Sequence, residues 1–286
     1  MDSAVAPAET SAVGGGGLGR RAATAVLGIP LTVLLVVLGK NWLLVGVCGA
    51  IVVGLLEFYA MAERIGYRPV REAGVGAGLL FALSAAQPVL VPWVEPILAA
   101  LLVYTMLRQL RGGVPDRGLA NAGVTLLGAL YVGYLFSYVL RLRVLSVGPE
   151  GGPSPLPALL VISVVWAADS VAYFVGLGAG RHKLLPRVSP NKSLEGAVAG
   201  ILGGIAAGLV FGGVAQFPLS MAGTVGALCA IASVCGDLWE SAIKREVGVK
   251  DSGWVLPGHG GILDRFDGLL FAAVTGYTVM RWWPGG

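Results

Sequence analysis

A polytopic bundle of membrane-spanning α-helices, an all-α fold, is the class this sequence predicts, and three observations predict it. Hydrophobic residues fill 56% of the 286 positions and charged residues only 13%, and the mean hydropathy of +0.79 lies far above that of a soluble globular domain. The apolar residues fall into runs of the length a helix needs to cross a bilayer, about 20 residues. Those runs are continuous rather than alternating, which disfavours a β-barrel and leaves helices that satisfy their own backbone groups in lipid. The 45 glycines suit close helix packing.

Along the chain, residues 1–19 (MDSAVAPAETSAVGGGGLG) are small, polar and Gly-rich, and read as a disordered tail ahead of Arg20 and Arg21. The first apolar run, near 22–39, is long for the core of a signal peptide and no A-x-A site follows it, so it reads as a span. The second lies near 41–61, with Glu57 close to its inner end as a paired or water-exposed terminal residue. The third and fourth lie near 73–91 and 93–110, the fourth being the weakest because Pro92, Glu95 and Pro96 crowd its start. A fifth, near 118–140, completes an N-terminal transmembrane region, residues 20–155. Runs near 156–177, 196–217, 219–240 and 266–283 make a C-terminal transmembrane region, residues 156–286. Nine spans put the termini on opposite sides. With the N-terminus in the cytoplasm, sixteen of the 20 Lys and Arg residues fall on the cytoplasmic side, as the positive-inside bias requires.

Trp42, Trp93, Trp282 and Trp283 fall near span ends and suit an interfacial belt. Cys48, Cys229 and Cys235 lie in apolar runs without CxxC spacing and read as small hydrophobes, neither bridges nor metal ligands. The net charge of +4 is mostly the topological bias, and no nucleic acid is expected as a partner.

Two cytoplasmic loops are richer in ionisable groups than topology needs. One is AADSVAYFVGLGAGRHKLLPRVSPNKSLEG, residues 167–196, and the other is SAIKREVGVKDSGWVLPGHGGILDRFD, residues 241–267, entered through CGDLWE. Asp237, Ser241 and Lys244 are spaced i, i+4, i+7 and share a helix face, with Glu240 beside them. Asp264 and Asp267 open span nine, whose N-terminus directs its dipole and free N–H groups at the same side. Between the two helices Pro257, Gly258, His259, Gly260 and Gly261 form a loop whose backbone can approach a ligand, a candidate phosphate cradle. Carboxylates with open positions hold Mg²⁺ together with substrate phosphates, and Lys and Arg neutralise the remaining phosphate oxygens. A nucleoside triphosphate or pyrophosphate site follows, without a Walker A or kinase glycine loop. Asp169, well inside span six, is costly there and reads as a site component or an interhelical polar anchor.

The pattern S-x-x-K-R-x-x-x-x-K-D-x-G-x-x-x-P-G-H-G-G-x-x-D-R-x-D, Ser241 to Asp267, resembles the signature of the phosphatidate cytidylyltransferases, or CDP-diacylglycerol synthases. Gly236 to Ser241 (GDLWES), Asp169 to Gly176 and Ser189 to Gly196 resemble the same family, so the likeness is strong from about 165 onward and only topological before. Ser193 stands where Thr is expected and Gly268 where Ser often is. The resemblance implies transfer of CMP from CTP to phosphatidic acid, giving CDP-diacylglycerol and pyrophosphate, at the cytoplasmic face of the cell (inner) membrane. It implies Mg²⁺ and leaves a second cation open, and it implies a homodimer in the bilayer. Asp237, Asp264 and Asp267 are then the expected metal ligands, with Asp251 a further carboxylate. Lys244, Arg245, Lys250 and Arg265 are expected on phosphates, Ser241 orients a ligand or water, and His259 donates to a phosphate oxygen. Lys183, Ser189, Lys192 and Ser193, with Asp169, Gly258, Gly260 and Gly261, complete the expected substrate contacts.

Rival readings fit less well. A transporter would place its ionisable groups near the midplane and repeat them in two halves. A polyprenol or phytol kinase would need a base for a hydroxyl, and the D-G-x-x-A-R pattern of the CDP-alcohol phosphotransferases is absent.

Overall fold

The computed structural model describes residues 28–111, 113, 116–147, 152–253 and 260–284. The tail, Arg20, Arg21, Gly258 and His259 lie outside the described residues. Among the described residues each apolar run holds one helix: α1 Gly28–Leu38, α2 Lys40–Arg64, α3 Arg71–Ala86, α4 Val94–Gln109, α5 Gly118–Val144, α6 Leu156–Ala179, α7 Leu194–Val214, α8 Leu219–Val247 and α9 Leu263–Arg281. A 3₁₀ segment, Pro88–Trp93, leads into α4, with Pro92 inside it. Proline lacks the N–H that an α-helical turn would use there.

Among the described residues six helices, α2 and α4 to α8, are long and apolar enough to cross a membrane, α4 together with the turn before it. At 16 residues α3 falls short of the hydrocarbon core, since about 20 residues are needed. α9 has 19 residues but carries Asp264, Arg265 and Asp267 in its first two turns.

One element departs from all-α. After α6 the chain forms an antiparallel hairpin, β1 (Lys183–Leu185) and β2 (Ser189–Ser193). Its second strand runs straight into α7, where Ser193 acts as N-cap and its Oγ accepts the Gly196 N–H at 3.1 Å. Glu195 Oε1 meets His182 Nδ1 at 2.6 Å, and the same carboxylate accepts the backbone N–H groups of Arg181 and His182. The hairpin is thereby fixed to the start of α7.

The closest packing runs through α6, α7, α8 and α9, each against the next. The buried residues of α7 are Gly196, Gly200, Gly204, Gly208 and Gly212, one per turn on a single stripe. A Cβ at Gly196 would lie 2.7 Å from the Ala172 carbonyl and one at Gly200 2.9 Å from that of Ala168, both on α6. Further along, a Cβ at Gly204 would lie 2.7 Å from the Ala230 Cβ of α8. Backbones touch because side chains are missing, which in lipid replaces the hydrophobic drive with dispersion contact. Gly226→Ala on α8 is therefore expected to destabilise by about 1–3 kcal/mol, because the new Cβ would stand 2.6 Å from the Gly204 carbonyl and 2.9 Å from Ile205 Cα. Gly213→Ala, whose Cβ meets nothing nearer than Leu219 at 3.9 Å, is the control. Thermal midpoints in detergent decide it.

The larger apolar core draws on both regions of the chain: Leu43, Ile51 and Leu55 of α2, Phe136 and Leu140 of α5, Leu160 and Val161 of α6, Val225 and Cys229 of α8, and Leu270 and Ala273 of α9. In the N-terminal region Tyr59 of α2 donates to the Thr125 carbonyl of α5 at 2.8 Å. The backbone N–H of Val70 is held by Thr125 Oγ1 at 2.9 Å and that of Arg68 by Asn121 Oδ1 at 2.8 Å. Midway, α5 loosens into a π-helical turn, Ala129–Tyr134, that buries Tyr131 and Val132. Beyond it Arg143 Nε reaches the Val36 carbonyl of α1 at 2.9 Å.

Candidate active site

The site begins where α8 and α9 meet. A Cβ at Gly236 would overlap the Asp267 carbonyl and lie 3.2 Å from Gly268 Cα, and one at Gly268 would overlap Ser233 Oγ. This backbone contact sits beside Asp237 on one helix and Asp267 on the other. Small residues at 236 and 268 are what bring the two carboxylates to one level, so Gly268, where Ser is often expected, is itself a packing residue.

Lys192, at the end of the hairpin, forms an ion pair with Asp237 Oδ2, and Ser241 donates to Asp237 Oδ1 at 3.3 Å, as the i, i+4 spacing requires. Asp169 of α6 accepts from Ser233 Oγ of α8 at 3.4 Å. Asp169 and Asp267 line one cavity of about 40 Å³, together with Arg265 and Trp166. The carboxylates of α6 and α9 thus share a cavity, and that of α8 takes the Lys192 ammonium.

A second group lies beside it. Lys244 Nζ sits 2.6 Å from Glu240 Oε2 and 2.6 Å from Asp264 Oδ1, with Glu240 wholly buried. The other oxygen of Asp264 accepts the Ser252 N–H at 2.9 Å, the Ser252 hydroxyl at 2.9 Å and the Gly261 N–H at 2.7 Å. Asp264 is therefore occupied by protein donors at both oxygens. Gly260 holds a φ of +77°, and a Cβ there would lie 2.6 Å from Asp264 Oδ2, so this close approach needs glycine.

Glu57 adds an unforeseen contact. It is buried at 6% exposure, and its carboxylate accepts the backbone N–H groups of Ile262 at 3.1 Å and Leu263 at 3.0 Å, with the Ser252 hydroxyl at 3.3 Å. Of the two expectations for Glu57, a paired or a water-exposed terminal residue, the structure shows the paired one, with backbone donors some 200 residues away as its partners. The expectation for the N–H groups at the start of α9 is corrected: those of Gly261, Ile262 and Leu263 are taken by Asp264 and Glu57 rather than open to a phosphate.

The remaining expected residues are spread around these groups. Arg245 is exposed and donates to the Val188 carbonyl of the hairpin at 3.3 Å. Lys250 and Asp251 are exposed in the segment after α8, with Asp251 beside Gly260. Lys183 is exposed on β1, Ser189 is half-buried on β2, and Ser193 is buried as the cap of α7. Sequence reasoning missed Glu57, Ser252 and Tyr131. Tyr131, on the π turn, is buried, its hydroxyl has no hydrogen-bond partner among the described residues, and Asp267 and Glu240 are within its electrostatic reach. A lone Glu in an apolar run was a signal for the first of these; the other two carried none.

Among the described residues no group of three or more His, Cys, Asp or Glu side chains is arranged around one metal position. Asp264, turned toward Lys244, Ser252 and Gly261, stands apart from Asp237 and Asp267 in this respect. Two carboxylates are what Mg²⁺ takes from protein when phosphates and water complete its shell; Asp237 and Asp267 flank the α8–α9 contact and would make such a pair once Asp237 exchanged Lys192 and Ser241, which hold its two oxygens here, for the ion.

The chain matches the model of the cytidylyltransferase family over residues 19–283. It is 35% identical to a phosphatidate cytidylyltransferase of Synechocystis sp. over 278 residues, 89% of this chain and 93% of that protein. A phosphatidate cytidylyltransferase of Thermotoga maritima is 47% identical over 135 residues, 43% of this chain and 48% of that protein. One of Bacillus subtilis is 42% identical over 153 residues, 53% of this chain and 55% of that protein.

Proposed function

The chain belongs to the cytidylyltransferase family, and from that premise we propose that it is a membrane nucleotidyltransferase that moves CMP from CTP to phosphatidic acid, releasing pyrophosphate and forming CDP-diacylglycerol. The observation that carries this reading is the similarity over nearly the whole length of a phosphatidate cytidylyltransferase, together with the backbone contact at Gly236 and Gly268 that joins the helices of the signature residues Asp237 and Asp267.

In this reading an oxygen of the lipid phosphate monoester attacks the α-phosphorus of CTP. The new P–O bond forms as the bond to the bridging oxygen of the β-phosphate breaks, and that electron pair leaves with pyrophosphate. The monoester is already anionic near neutral pH, so no side-chain base is required. Asp237 and Asp267 would hold Mg²⁺, which when bound neutralises charge on the phosphates. Lys192, which pairs with Asp237, would meet a phosphate oxygen, with Arg265, Lys250 and the hairpin's Lys183 as further cations. Lys244 and Asp264 hold each other, and Asp264 holds Ser252 and Gly261 in place.

The proposal includes nine crossings, a cytoplasmic N-terminus, a cytoplasmic site in the cell membrane and a homodimer. The sixteen-to-four division of the 20 Lys and Arg residues supports the orientation, and the family likeness supports the dimer. In detergent with phosphatidate, Mg²⁺ and CTP labelled at the α-phosphate, label is expected in the organic phase. Label entering lipid only from the γ-position would indicate a kinase instead.

A further inference from the structure

We propose that Glu57, on α2 in the N-terminal region, is a positioning residue for the transfer site: its buried carboxylate fixes the first turn of α9 and ties Ser252 to it. The inference rests on the transfer reaction proposed above.

Three donors converge on this one side chain, the N–H groups of Ile262 and Leu263 and the Ser252 hydroxyl, at 3.1, 3.0 and 3.3 Å. The fit is tight on two further sides, since a Cβ at Gly253 or Gly261 would overlap the carboxylate. The Ser252 hydroxyl also lies 2.9 Å from Asp264 Oδ2. With one proton to give, it stands between two carboxylates and serves one at a time. Glu57 and Asp264 thus share Ser252, one reaching it from α2 and one from α9 itself.

The consequence for chemistry runs through α9. The turn that Glu57 caps carries Asp264 and Arg265 and leads directly to Asp267. Because α8 and α9 touch backbone to backbone at Gly236 and Gly268, no compliant side chain absorbs a tilt of α9. A shift at its N-terminus moves Asp267 relative to Asp237. Misplacement by about 1 Å can cost a reaction about 100-fold. A residue serving only to stabilise the bundle would lower the folded fraction and leave turnover per folded molecule intact.

The test compares purified wild type, Glu57→Gln and Ser252→Ala with phosphatidate, Mg²⁺ and α-labelled CTP, alongside amide hydrogen exchange over residues 260–266. Glu57→Gln keeps the shape and one acceptor oxygen but turns its amide N–H groups toward one of the two backbone donors. Its kcat is expected to fall about 30- to 100-fold, with KM for CTP changed far less and faster exchange at Ile262 and Leu263. Ser252→Ala, which leaves the packing in place if Glu57→Gln does not fold, is expected to lose about tenfold in kcat. Wild-type kcat in either folded variant overturns the proposal, and so does a loss of activity matched by the loss of folded protein. If the wild type itself labels no lipid, the transfer reading falls first.

Discussion

Lys244→Met is expected to destabilise the folded chain by about 3–5 kcal/mol, because it strips the shared cation from two carboxylates that have little water to turn to. The Lys244 side chain is 13% exposed, Glu240 0% and Asp264 8%, and both ion pairs measure 2.6 Å. A buried pair adds little net stability when intact, since desolvation offsets attraction, but one partner left alone is costly. The logic also gives the rescue. Glu240→Gln in the Lys244→Met background removes one of the two stranded charges and should recover part of the loss, while Glu240→Gln alone should be mild. Thermal midpoints of the three variants in detergent decide the matter. A Lys244→Met midpoint equal to wild type would mean that the triad is open to water.

Asp237→Asn should behave in the opposite way, sparing the fold and removing the activity by about 10³-fold. Its carboxylate is 37% exposed and its partner Lys192 28%, so the ion pair contributes little to stability. As a proposed ligand it has no substitute, because the amide keeps the shape and loses the charge. Labelled lipid per folded enzyme is the readout. A variant that unfolds yet retains turnover per folded molecule would make Asp237 a structural partner of Lys192. Lys192→Ala separates the two roles again, since it should raise KM for CTP more than it moves the midpoint.

The helices were legible because lipid imposes one demand on every span, and long apolar runs show it directly. Their ends were less so. The third apolar run extends to about 91, but α3 stops at Ala86 and Pro88–Trp93 takes a 3₁₀ form, as its prolines dictate. The eighth run ends near 240, whereas α8 continues to Val247, because its last two turns are polar and leave the hydropathic signal while keeping helical spacing. That spacing is why Asp237 and Ser241 were correctly placed on one face. The hairpin was not legible, since neither three-residue β1 nor SPNKS alternates apolar with polar. Composition and spacing marked Asp264 as an acid near a site, but not which donors would claim its oxygens. Those lie in Lys244, Ser252 and Gly261, and only folding brings the first two near. Glu57 was hidden for the same reason at greater range.

The π turn in α5 sets a condition on chain length there. Each residue of an α-helix advances the azimuth by about 100°, and a π turn accommodates one more residue per cycle than its neighbours. Because the surplus residue is taken up within one wide turn, the residues after Tyr134 keep the register that sets Arg143 on the Val36 carbonyl. Deleting one position within Ala129–Tyr134 would tighten that turn and leave the far end close to its present azimuth, whereas the same deletion in a regular stretch of α5 would swing it by about 100° and carry Arg143 off α1. The wide turn is the place in this helix where a change of length is absorbed.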